Sequence, residues 1–168
     1  MEENIVFRAK ALRKEFGSTI ALKGVDIELK TGEIRGLVGE NGSGKSTIMS
    51  IASGMQPATK GEMFYKGQPW KPTSMLEAQE HGIGMIVQES GTIQGISVAE
   101  NLFLGEIERF KKFGRIDRRA LNREADQALA AIGVIDVTGA MPMGALDFQT
   151  RKLVEIAKVM MKAPEILV

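Results

Sequence analysis

One segment of eight residues limits what this chain can fold into more than any other. Residues 39–46, GENGSGKS, match the pattern G-x-x-x-x-G-K-[ST] at every fixed position. Glycines at this spacing let successive backbone N–H groups point inward around phosphate oxygens. A helix that starts at the lysine directs its positive N-terminus at the same anion. A glycine- and serine-rich turn is the alternative, but an apolar stretch precedes the motif and a helical pattern follows it. The segment therefore predicts a phosphate loop.

The side chains of this loop have separate expected roles. Lys45 can reach the β- and γ-phosphates of a nucleotide, and the hydroxyl of Ser46 can ligate Mg²⁺. Thr47 is either a further phosphate donor or an ordinary residue of the first helical turn. We expect ATP and Mg²⁺ as cofactors, held by nine consecutive residues: Gly39, Glu40, Asn41, Gly42, Ser43, Gly44, Lys45, Ser46 and Thr47.

Composition removes several other classes of protein. The chain has 168 residues and a net charge of +1, which argues against a domain that mainly grips nucleic-acid phosphates. It contains no cysteine, so it has neither disulfides nor a thiolate nucleophile. No apolar run approaches the roughly 18 residues of a membrane helix, and the N-terminus lacks the pattern of a signal peptide. We therefore expect a soluble domain of the cytoplasmic type.

Periodicity and turn signals predict an α/β fold. Strands alternate with helices after the phosphate loop, which favours a parallel sheet, whereas the strands before it are joined without helices and favour an antiparallel piece. Capping residues mark several helix starts, including the capping box Ser97–Glu100 and the aspartates at 117 and 147. The predicted strands cover residues 5–9, 24–29, 33–38, 62–65, 83–87 and 166–168, and the predicted helices cover 45–53, 74–80, 97–103, 117–132 and 148–162.

Further phrases of the sequence resemble the ATP-binding subunits of ABC transporters, within them the sugar-importer type. The phosphate loop matches the family's Walker A motif, and residues 84–89 (GMIVQE) match its Q-loop. Residues 97–105 (SVAENLFLG) match the segment that usually follows the Q-loop, and residues 153–158 (LVEIAK) match the helix after the signature motif. The resemblance covers essentially the whole chain. It implies a P-loop NTPase core of the RecA-like type with an antiparallel β subdomain in residues 1–88, an inserted helical subdomain in 89–161, and the start of the Walker B strand in 162–168.

The resemblance also implies roles for two residues outside the loop. Phe16 falls where the family places an aromatic side chain that stacks on adenine; a half-exposed core phenylalanine is the alternative. Gln88 would coordinate Mg²⁺ and act with Lys45 in catalysis, although an ordinary strand-end hydrogen bond competes with this interpretation. The groove near Gln88–Gly105 would receive a membrane permease.

The chain departs from the family pattern in two places. The signature motif aligns with Leu146, Asp147, Phe148, Gln149 and Thr150, where Asp147 replaces a serine and Gln149 a glycine. We expect Asp147 to preserve the helix cap but to repel a γ-phosphate bound across a dimer. The sequence also stops before the Walker B aspartate, the catalytic glutamate and the switch histidine. We therefore expect an N-terminal fragment, truncated at its C-terminus and inactive alone, in which strand 33–38 has an unpaired edge.

These observations predict the ATP-binding domain of an ABC importer for a sugar or sugar-like solute. The intact parent would be an ATPase, peripheral on the cytoplasmic side of the plasma membrane. Its partners would be permease subunits, a second nucleotide-binding domain, in tandem or as a dimer, and indirectly a solute-binding protein, with no nucleic acid. A soluble ATP-driven switch without transport is the alternative.

A basic run between residues 109 and 123 is not explained by this function. It could face the membrane partner or anionic lipid headgroups, although such a run is more often a solvated surface paired with neighbouring glutamates. Its members are Arg109, Lys111, Lys112, Arg115, Arg118, Arg119 and Arg123.

Overall fold

The computed structural model describes residues 4–87 and 91–168 and divides into two compact units. The first unit comprises the chain up to Met85 together with Val168, and the second comprises residues 86–167. The strands are β1 (Ile5–Phe16), β2 (Thr19–Lys30), β3 (Lys60–Tyr65), β4 (Gln68–Pro69), β5 (Ile83–Gly84), β6 (Lys111–Lys112), β7 (Arg115–Ile116) and β8 (Ile166–Leu167). The α-helices are α1 (Lys45–Ala52), α2 (Met75–Glu80), α3 (Val98–Leu102), α4 (Arg118–Ala131) and α5 (Phe148–Met160).

The first unit contains an antiparallel sheet of four strands in the order β2-β1-β3-β4. Its long β1–β2 hairpin pairs Ile5 with Lys30 at one end and Phe16 with Thr19 at the other. A bulge interrupts β1 at Ala11, whose φ is +47° and whose N–H donates to Asp26 Oδ1 at 2.6 Å. The expected antiparallel piece is therefore present, and both of its first strands are longer than the sequence pattern predicts.

Helix α1 packs its apolar side into the core of the first unit through Ile48 and Ile51. The single tryptophan, Trp70, is buried beside this helix and donates its indole N–H to the carbonyl of Ala52 at 2.9 Å. The loop after β4 is thereby fastened to the end of α1, so the fluorescence of Trp70 reports on the order of this region.

The predicted strand over residues 33–38 is wrong: this segment has no regular secondary structure. Ile34 and Val38 are fully exposed to solvent, and the segment has no strand pairing on either side. A strand is stable only when its N–H and C=O groups are paired in a sheet, and an apolar sequence alone does not supply that pairing. The predicted strand over residues 83–87 is likewise shortened to Ile83–Gly84.

The second unit is helical, with α3, α4 and α5 packed around one apolar core that includes Phe103, Leu121 and Leu129. Each helix begins at a polar cap, as the sequence predicts. Ser97 and Glu100 form both bonds of the capping box, and Asp117 accepts from Ala120 N–H at 3.0 Å. No helix in the described part of the chain is long and apolar enough to span a membrane.

Candidate nucleotide-binding site

The phosphate loop connects the irregular segment before it to the N-terminus of α1. Gly42 and Gly44 have φ values of +84° and +93°, a left-handed conformation that glycine adopts at little cost. Ser43 N–H donates to Glu40 O at 3.2 Å, and α1 starts immediately after Gly44, as the motif predicts. The loop therefore has the alternating backbone turn that suits anion binding.

The ammonium group of Lys45 lies inside this loop. Its Nζ donates to the carbonyl oxygens of Gly39 at 2.9 Å and Glu40 at 2.8 Å. The first turn of α1 contains no acidic side chain. The positive end of the helix and the lysine charge therefore act together on any anion that enters the loop.

Close packing restricts side chains at two of the glycines, and most strictly at Gly44, where one neighbour is backbone. A Cβ at Gly39 would lie 2.7 Å from Ser43 Oγ, and one at Gly44 would lie 2.7 Å from the backbone oxygen of Ala21 and 2.5 Å from Leu22 Cδ2. Side chains at these positions would fill the loop or push it away from β2. The backbone thus fits phosphate groups, which need close approach to bare N–H groups.

The loop also offers a ligand for a metal ion that accompanies the phosphates. Ser46 is exposed in the first turn of α1, and its hydroxyl oxygen is the hard type of ligand that Mg²⁺ prefers. Among residues 4–87 and 91–168 no cluster of three or more histidine, aspartate or glutamate side chains is arranged to hold a metal by itself. The residues present fit Mg²⁺ that is bound mainly through a nucleotide's phosphates and water.

Phe16 lies at the end of the same hairpin that supports the loop. Its ring is about half exposed, at 50%, at the tip of β1, next to the Gly17–Ser18 turn. Lys14 places its ammonium 5.0 Å from the ring centroid. Gly44 lies against Ala21 and Leu22 of β2, the strand that follows Phe16 across the turn, so the ring and the phosphate loop belong to the same unit.

The remaining predicted site residues are elsewhere. Gln88 lies outside the described residues. Asp147 caps α5 by accepting from Thr150 N–H at 2.7 Å, and this bond holds the pKa of its carboxyl below the usual range. Phe148 and Gln149 are exposed and Leu146 is half-buried at the same helix start. The predicted cap is confirmed, and the aspartate is ionised at neutral pH.

The second unit contains a buried ion pair that the sequence predictions do not include. Glu155 is buried on α5, where Lys152 Nζ donates to its Oε2 at 2.7 Å. The same ammonium donates to the carbonyl of Val87 at 3.2 Å. A lysine and a glutamate three residues apart, with the glutamate between Val154 and Ile156, could have indicated a buried pair. Lys152 thereby links the backbone at Val87 to α5.

Comparison with known proteins agrees with the fold and the loop. Residues 22–168 match the family described as ABC transporter. A ribose import ATP-binding protein from Rhodopirellula baltica is 41% identical over 100% of this chain and 32% of its own length. A xylose import ATP-binding protein from Ralstonia nicotianae is 38% identical over 100% of this chain and 33% of its own. The chain thus spans about a third of the length of these curated relatives.

A solved structure, a nucleotide-free ATP-binding cassette from an ABC transporter, superposes with a TM-score of 0.81 at 26% identity. The match covers 97% of this chain and 67% of that cassette. The fold and the loop together define a phosphate-loop nucleotide-binding domain. The chain belongs to the ABC transporter family and corresponds to part of its ATP-binding domain, with the cassette fold and its antiparallel β subdomain.

Proposed function

We propose that this chain is the nucleotide-holding part of an ATP-binding subunit in an importer of a sugar or sugar-like solute. The observation that carries the proposal is the phosphate loop, in which the Lys45 ammonium and the start of α1 converge inside a turn built on Gly42 and Gly44. The relatives named for ribose and xylose import support the choice of solute class.

Each residue of the proposed site has a distinct task. Backbone N–H groups of the loop and the Lys45 ammonium bind the β- and γ-phosphates, and the Ser46 hydroxyl ligates the metal. Phe16 stacks on the adenine, and stacking of a base on an aromatic side chain contributes about 1–3 kcal/mol. Gln88 completes the metal site and acts with Lys45 in catalysis. Bound Mg²⁺ would neutralise charge on the phosphates during transfer to water.

In the parent protein, this domain would be an ATPase that pairs with a second nucleotide-binding domain, in tandem or as a dimer. The region near Gln88–Gly105 would receive a membrane permease, and a solute-binding protein would act through that permease. The subunit would then be peripheral on the cytoplasmic side of the plasma membrane. Co-purification of the parent with a membrane permease would separate this function from that of an ATP switch without transport.

The loop assignment is tested by calorimetric titration of the chain with Mg²⁺–ATP. Lys45→Ala should weaken binding by tenfold or more, since it removes the one basic side chain of residues 39–47. Lys71→Ala is the matched control, because Lys71 is an exposed lysine of the same unit. Equal affinities for all three proteins would refute the assignment. Ser46→Ala should abolish the increase in ATP affinity that Mg²⁺ causes, while the affinity for ATP without metal stays the same.

The altered signature segment is tested in the parent assembly. Because Asp147 is ionised and exposed at the start of α5, it would repel a γ-phosphate brought to it by a second domain. The double change Asp147→Ser and Gln149→Gly should raise the steady-state release of phosphate. Unchanged or lower activity would mean that this segment does not limit the reaction.

A further inference from the structure

The short hairpin of the second unit carries an aromatic ring at its tip. We call residues 111–116 the basic hairpin; it consists of β6, β7 and the turn Phe113–Gly114. Lys112 pairs with Arg115 across the last rung. Phe113 is completely exposed to solvent and makes no packing contact that would bury it.

The backbone of this turn is unfavourable for phenylalanine. Phe113 and Gly114 have φ values of +50° and +77°, the pattern of a two-residue turn with both central residues left-handed. Asparagine, aspartate or glycine is preferred at the first of these positions, because a bulky side chain there is strained. A strained and fully exposed aromatic residue stabilises nothing within the chain, which points to a role for the ring in contact with another surface.

The hairpin also concentrates positive charge. Residues 108–123 contain seven basic and two acidic residues, although the whole chain has a net charge of only +1. Lys111 pairs with Glu108 at 2.5 Å and Lys112 with Asp117 at 3.1 Å. Arg115 has no ion pair within the part of the chain that the structure describes.

Two other members of the run, Arg109 and Arg118, lie close to glutamates, whereas Arg119 and Arg123 on α4 have no ion pair within residues 4–87 and 91–168. Arg109 pairs with Glu106 at 3.1 Å and with Glu124, and Arg118 approaches Glu100 at only 3.6 Å. The run therefore keeps a surplus of positive charge, part of which is carried by Arg115, one residue after the Phe113–Gly114 turn.

We propose that the basic hairpin docks on an anionic lipid bilayer, with Phe113 entering the interface and Lys111, Lys112 and Arg115 at the level of the headgroups. A bilayer surface has anionic headgroups above an apolar layer. The basic hairpin matches this arrangement, because its strands carry the basic side chains and its turn carries the apolar ring. A nucleic acid would use the cations, but the near-zero net charge of the chain does not favour it.

Co-sedimentation of the chain with lipid vesicles tests this site. Vesicles of phosphatidylcholine with about one third phosphatidylserine should bind the chain at low salt, and pure phosphatidylcholine should not. Phe113→Asn should reduce binding to the anionic vesicles about tenfold, because the apolar contribution is lost. Arg115→Gln should reduce it about fivefold, the effect of one basic residue near such a surface.

Control variants distinguish binding through this site from nonspecific hydrophobic binding and from misfolding. Ile135→Asn removes an exposed apolar side chain of the same unit and should leave vesicle binding unchanged. Asparagine suits the turn at position 113, so Phe113→Asn should melt no lower than the original chain. The proposal fails if the original chain does not bind anionic vesicles, if Phe113→Asn binds equally well, or if a single-stranded oligonucleotide is bound more tightly than the vesicles. The assay contains no nucleotide, so its outcome is independent of the proposed ATP site.

Discussion

Replacement of Gly44 by alanine should damage the phosphate loop far more than the same replacement at Gly42. Both glycines have left-handed φ values, of +93° and +84°, and this conformation costs alanine about 1–2 kcal/mol at each position. Only at Gly44 would the new Cβ also meet other atoms, 2.5 Å from Leu22 Cδ2 and 2.7 Å from Ala21 O. A Cβ added at Gly42 would have no atom within 4 Å apart from those of its chain neighbours.

The clash should add about 1–3 kcal/mol at Gly44, because the backbone of β2 cannot easily move away from it. We expect Gly42→Ala to lower the free energy of unfolding by about 1–2 kcal/mol and Gly44→Ala by about 2–5 kcal/mol. The difference would be a large fraction of the roughly 5–15 kcal/mol that stabilises an ordinary domain.

Urea unfolding followed by the fluorescence of Trp70 measures this difference. Trp70 is the single tryptophan of the chain and bonds to the end of α1, so its signal reports on the unit that contains both glycines. With a slope of about 1–3 kcal/mol per molar urea, the midpoint should fall by roughly 1 M more for Gly44→Ala than for Gly42→Ala. Equal midpoints for the two variants would refute the claim that Gly44 is fixed by contact with β2.

Two further predictions concern the second unit. Lys152→Met should cost about 2–3 kcal/mol of unfolding free energy, because it removes the ammonium group that donates to the buried carboxylate of Glu155. Adding Glu155→Leu should recover most of this loss in urea unfolding. Hydrogen bonds from the Ser97 backbone N–H and hydroxyl hold the pKa of Glu100 below its usual value of 4.5. The ionised Glu100 therefore stabilises the folded chain fully above pH 4.5, and this stabilisation is lost as the pH falls through the lowered pKa of the folded state. Glu100→Gln should therefore show a weaker dependence of the urea midpoint on pH between about 5 and 3 than the original chain, and an identical dependence would contradict this origin of acid sensitivity.

Local chemistry was sufficient to predict the helices and the loop. The capping box at Ser97 and the aspartate cap at Asp147 each satisfy N–H groups within three residues, so sequence spacing alone specifies them. The start of α1 at Lys45 follows in the same way from the glycines before it. The antiparallel strands were also recognised, although β1 and β2 each extend well beyond the predicted spans.

Features that depend on distant partners were not predicted. Residues 33–38 are apolar and β-branched enough to suggest a strand, but strand formation requires a neighbouring strand, which local sequence does not specify. The basic hairpin was missed because Phe-Gly is not a usual two-residue turn, and the bulge at Ala11 was missed because it depends on contacts with Asp26 and Gly61. In each case the deciding interaction is tertiary.

Backbone amide chemical shifts on addition of Mg²⁺–ATP test the central claim most directly. If the loop binds phosphate through its N–H groups, the largest shifts in a two-dimensional NMR spectrum of the chain should fall on residues 39–47, including Gly42 and Gly44. Adenosine, which has no phosphate, should leave these amides almost unchanged and affect mainly the surroundings of Phe16. Shifts centred outside the loop, or equal shifts with adenosine, would contradict the assignment of this segment as the phosphate site.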